Sequence, residues 1–133
     1  MQNTDLIGRQ MVIEMLKNYE NQKMFCANID DRKGYIKLKV ATGYDKKLAA
    51  SELRDIEKQK KRALAGIKLL EAGMRTLTEE ERIAVNEFYI NRSENHIDRL
   101  CERLSCEERQ TYKYKERALK KICSIILGYY NDN

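Results

Sequence analysis

The chain is 133 residues long, with no proline, six glycines, 42% hydrophobic and 35% charged residues, which leaves room for one ordinary domain or a small domain with a long helical arm. A net charge of +5 leans toward a polyanionic partner. No run approaches the roughly 18 to 20 apolar residues of a membrane span and Met1 to Arg9 lacks the apolar core of a secretory signal, so a cytoplasmic protein without membrane partners, its four cysteines kept as thiols, is expected.

In chain order, residues from about Asp5 to Asp31 carry Leu6, Ile13, Leu16 and Met24 as an apolar helical stripe. Gly34 to Gly43 alternates apolar and basic residues between two glycines, which fits a short extended segment. Extended, it exposes Lys37 and Lys39 to DNA, or offers an edge to a second copy of the chain. From Asp45 to Met74, the residues Ala49, Leu53, Ile56, Lys60, Ala63, Ile67, Leu70 and Met74 recur at steps of four and three. That is a heptad seam, widened by Leu48 and Leu64, for packing on the N-terminal helix or on a second chain. Lys58 to Arg62 is a basic run, a solvated helix face or a nonspecific phosphate contact. Gly73 is placed to end the long helix, so the chain is cut into a helical arm, 1–75, and a second domain, 76–133.

In the second domain Leu77 to Ile90 reads as a helix, with Thr78 and Glu81 as its capping box and acids at its positive end. A short helix follows, with Ser93 as N-cap and Ile97, Leu100, Cys101 and Leu104 on one face. Only Ser105 and Cys106 then separate it from a basic helix that starts near Glu107, with Ser105 and Glu108 forming a second capping box. On that helix Thr111, Tyr114, Ala118, Ile122, Ile125 and Tyr129 share an inward face at about 100° per residue. Opposite them stand Arg109, Lys113, Glu116, Arg117 and Lys120, flanked by Gln110 and Tyr112, a row suited to a major groove. Ser105 to Ile122 holds six bases against three acids. A zinc site from His96, Cys101 and Cys106 matches no usual ligand spacing and lacks a fourth ligand. There is no phosphate-binding glycine loop, no carboxylate pair and no nucleophile with a base, so neither an enzyme nor a cofactor or metal site is expected.

The motifs Leu77-Thr78-x-x-Glu81-Arg82, Ile97-x-x-Leu100, Leu104-Ser105-Cys106 and Arg117-Ala118-Leu119-Lys120-Lys121-Ile122 resemble region four of bacterial sigma factors. The run Arg109-x-Thr111-Tyr112-Lys113-Tyr114-Lys115-x-x-Ala118-Leu119-Lys120-Lys121 is similar to the ArpU/RinA group of phage and prophage transcriptional regulators. The resemblance covers about Leu77 to Leu127. It departs at Ser105, where sigma factors have glycine, and at Glu107, where they have a capping serine.

It implies a trihelical helix-turn-helix, and with the N-terminal apolar stripes the chain is expected to be all-α, an N-terminal helical hairpin or coiled arm followed by that unit. It further implies base reading by Arg109, Gln110 and Lys113, backbone contacts from Tyr112, Arg117, Lys120 and Lys121, double-stranded DNA as partner, and late-gene activation in a bacterial host cell. RNA polymerase, and a homodimer through the N-terminal helices, are further candidate partners. Two other readings stand beside this one. One is a polymerase- or sigma-binding module that uses Leu77 to Ile90; the other is a phage terminase small subunit, which a ring-sized oligomeric mass would betray.

Overall fold

The computed structural model describes residues 3–128. Among them the chain is all-helical: α1 Asn3–Lys17, α2 Tyr19–Ala27, α3 Ile29–Ala41, α4 Lys46–Met74, α5 Glu79–Val85 with a π-helical turn Asn86–Ile90 in continuation, α6 His96–Leu104 and α7 Glu108–Leu127. No described helix is long and apolar enough to cross a membrane. Tyr129, assigned above to the inward face of the basic helix, lies outside the described residues.

The segment Gly34 to Gly43 is helical, not extended. The alternation there is incidental to a helical seam: Ile29 and Ile36 are buried and Val40 half-buried at steps of seven and four, while Tyr35 and Leu38 face solvent. A Schellman motif stops α3. The Tyr44 N–H donates to the Lys39 carbonyl and the Gly43 N–H to that of Val40, with Gly43 at φ 107°. Asp45 then caps α4, its side chain accepting from the Lys47 and Leu48 amides at 2.7 and 3.3 Å.

Compact packing divides the chain otherwise than a cut at residues 75/76. Residues up to Tyr19 and those from Lys68 onward form one unit, and Glu20–Ile67 the other. In the second unit Ile29 and Ile36 of α3 meet Ala49 and Ile56 of α4, joined by Phe25, Val40, Tyr44 and Leu53. The α4 seam is real, with Ala49, Ile56, Ala63, Ile67 and Leu70 all buried. Of the N-terminal apolar stripe, Leu16 is buried and Ile13 half-buried, while Leu6 and Met24 are exposed.

In the first unit α1 packs on α7 and on the π turn, and α7 also packs on α5 and α6. Val12, Leu16, Leu77, Val85, Leu100, Leu119 and Ile122 are buried. Gly73 lies inside the last turn of α4, and a Cβ there would stand 3.2 Å from the Ile122 Cα, so this glycine permits close helix approach rather than ending the helix. Thr78 and Glu81 form the expected capping box, the Glu81 amide donating to Thr78 and the Thr78 amide to the Glu81 carboxylate.

Candidate nucleic-acid interface

Helix α6 ends on Ser105, whose φ and ψ of 49° place a non-glycine residue in the left-handed region. The Cys106 amide reaches back to the Cys101 carbonyl, Glu107 becomes the N-cap of α7, and its side chain makes no capping bond. The capping box expected from Ser105 and Glu108 is therefore absent, because Ser105 is spent on closing α6. Ser93 does not cap α6 either: that helix begins at His96, and the Ser93 hydroxyl is buried without a hydrogen-bond partner. His96 Nδ1 lies 3.2 Å from the Ser93 carbonyl and the ring packs edge-on against Phe88, a structural post rather than a reactive one.

Behind α7 the support is Ala84, Phe88 and Leu100, with Ile83, Tyr89, Ile97, Leu104 and Tyr114 packed around them. The π turn brings Glu87 and Phe88 both inward; its last bond runs from the Asn91 amide to the Asn86 carbonyl at 2.8 Å, doubled by the two asparagine side chains at 2.9 Å. Glu87, 3% exposed, faces Arg99 and Arg103 of α6 at 3.4 and 3.5 Å, which ties the helix before the turn to the one that supports α7.

On α7 itself four cations and Glu108 are exposed. Arg109, Lys113, Arg117 and Lys120 are exposed, and they stand at i, i+4, i+8 and i+11 over about 16 Å of helix. Gln110 is half-buried, and Tyr112 is 42% exposed with its ring 5.5 Å from that of Phe88.

Lys121, Lys115 and Glu116 have partners within the protein. Lys121 donates to the buried Glu81 carboxylate at 2.6 Å. Lys115 lies over the rings of Phe88 and Tyr112 and 3.4 Å from Glu116. Glu116, which the helical wheel places amid the basic row, receives both guanidinium nitrogens of Arg9 at 2.7 and 2.6 Å.

These contacts set the charge states. Hydrogen bonding to Arg9 holds the Glu116 carboxyl below its ordinary pKa and raises that of Arg9. Burial alone pushes Glu81 up, but bonds from Lys121 and from the Thr78 backbone outweigh it and leave Glu81 lowered. Burial pushes the Cys123 thiol up, away from thiolate chemistry.

The partners Arg9, Glu87 and Arg99 escape sequence reasoning. A lone acid inside a basic row is the signal that an outside cation must meet Glu116, but the 107 positions between it and Arg9 leave no periodicity to follow.

Among the described residues, no group of three or more histidine, cysteine, aspartate or glutamate side chains is gathered as a metal ion requires. No family model, curated protein or solved structure matches the chain.

Proposed function

We propose that the chain is a sequence-specific DNA-binding transcription regulator, of the phage or prophage late-gene type that its C-terminal motifs resemble, with α5, α6 and α7 acting as a helix-turn-helix. The observation that carries this reading is the sorting of charge on α7. Its exposed cations form one row, while the one acid within that row is neutralised by Arg9. A merely solvated helix face has no need of either feature.

In this reading α7 enters a major groove by its N-terminal half. Arg109, Gln110 and Lys113 read base edges, and Tyr112, Arg117 and Lys120 meet phosphates. Lys121 belongs to that phosphate-meeting set as well, its side chain 41% exposed while it also donates to Glu81.

Replacing Arg109 or Lys113 by alanine is expected to cost about 1–3 kcal/mol on the preferred site and to relax base preference. Replacing Lys120 is expected to weaken all duplexes alike and to flatten the salt dependence by about one. Competition binding with matched and scrambled duplexes over a salt series separates the two effects. If Lys113→Ala leaves affinity and preference intact, groove docking by this helix is wrong.

The polymerase-binding alternative draws less support. Leu77, Val85 and Phe88 of the proposed contact helix are buried, and what that helix shows to solvent begins with Thr78, Glu79, Glu80 and Arg82.

A further inference from the structure

The excess charge of the protein is not where the basic helix is. The unit Glu20–Ile67 holds twelve Lys and Arg against seven Asp and Glu, a net of +5, whereas the rest of the chain holds fourteen of each. The unit that contains α7 is thus neutral as a whole, and the long-range field that draws a polyanion originates in the other unit.

Within that unit the charges are sorted by face. Glu52 and Glu57, the half-buried acids of α4, point toward α3, where Glu57 pairs with Lys33 and Glu52 lies 3.7 Å from Lys39 and accepts from the Tyr44 hydroxyl. The exposed residues of α4 between Lys46 and Ile67 include Lys46, Lys47, Arg54, Lys58, Lys61 and Arg62, with Asp55 the exposed acid among them.

On a wheel of about 100° per residue Lys47, Arg54, Lys58 and Lys61 fall within about 60°, and Arg62 lies at their edge. From Lys47 to Arg62 this stripe runs about 22 Å at 1.5 Å per residue. Such a length parallels about six base pairs of duplex, enough to face phosphates along one strand.

We infer that the outer face of α4, through Lys47, Arg54, Lys58, Lys61 and Arg62, is a second DNA-binding surface that grips the phosphate backbone without regard to sequence. It carries sequence-independent affinity, while α7 carries preference. A helix that turns Glu52 and Glu57 inward to lysines and sets five bases outward in line, with Asp55 exposed among them, presents a surface whose complement is a regular array of anions. Duplex DNA supplies that array as a rigid rod, where a lipid surface supplies it as a fluid.

The test uses the full chain with Lys47, Arg54, Lys58 and Lys61 all changed to glutamine, a good helix former that preserves α4. Binding to a random-sequence duplex is measured from low to moderate salt, with far-ultraviolet circular dichroism to verify the fold. A companion variant with the three lysines changed to arginine keeps the charge.

The glutamine variant is expected to reduce the steepness of log affinity against log salt by up to about 3.6, near 0.9 for each of the four phosphates that the protein no longer neutralises. It is also expected to weaken every duplex equally, with the ratio between preferred and scrambled sites unchanged, and the arginine variant to behave as wild type. An unchanged slope overturns the inference, as does a loss confined to phosphatidylserine vesicles.

The outcome is separable from the proposal for α7. Wild-type protein that binds duplex without preference, and whose salt slope falls in the glutamine variant, sinks the α7 reading and keeps this one. Protein that selects a sequence but whose slope ignores the four substitutions does the reverse. Wild-type protein that binds no duplex at all sinks both.

Discussion

Ser105 occupies a position where glycine would sit without strain. A left-handed conformation costs an L-residue roughly 1–2 kcal/mol, partly offset because glycine loses more entropy on folding. Ser105→Gly is therefore expected to stabilise the protein by up to about 1 kcal/mol, read as a rise in the denaturant midpoint; a drop would mean that the serine side chain supports the turn. Nothing in the residue's type announces this geometry, because serine is the usual helix N-cap and the pattern Ser105 to Glu108 mimics one.

Glu81, by contrast, is legible as a capping residue, but not as the anchor of Lys121 forty positions away. Its folded pKa is lowered, so its contribution is complete above the ordinary carboxylate range and lost as pH falls through the folded value. Unfolding free energy measured between pH 6 and 3 is expected to fall more steeply for wild type than for Glu81→Gln. Equal slopes would mean that the Glu81–Lys121 pair contributes nothing to acid sensitivity.

At the scale of elements, hydrophobic period locates helices well where one face is buried, as in α4 and α7, and poorly where a helix is short and half-wet. In α3 only Ile29 and Ile36 are buried, so alternation between Tyr35 and Val40 mimics a strand and two glycines frame it. The glycines have different parts: Gly43 needs its positive φ, while a Cβ on Gly34 would meet nothing within 4 Å. Gly34→Ala is consequently expected to stabilise by about 0.5–1 kcal/mol through helix propensity. Thermal melts check it, and a destabilised variant would contradict a helical α3.

The π turn is equally hidden. It inserts one residue into an otherwise regular helix, and no local composition marks where the register shifts so that Glu87 reaches Arg99 and Arg103.

Across the whole molecule, an all-helical chain follows from the absence of proline and the long apolar periods. The division into units does not. Sequence order suggests an arm followed by a domain, but α1 packs on α7 and on the π turn, and so belongs with the C-terminal helices. Contacts between residues more than a hundred positions apart have no local signature.

Arg9 shows what that long-range packing does for the proposed function. Left alone, Glu116 would place a negative charge beside Arg109, Lys113 and Lys120, repelling the phosphates those cations are proposed to approach. The bidentate pair with Arg9 neutralises it from outside the helix.

Selection of bound sequences from a random duplex pool decides whether α7 reads DNA sequence, with wild-type protein beside a variant in which Arg109 and Lys113 are both alanine. Sequence reading by α7 predicts an enriched motif for wild type that disappears in the double variant, although duplex binding at low salt persists. No enrichment for wild type, or the same motif from both proteins, would contradict it.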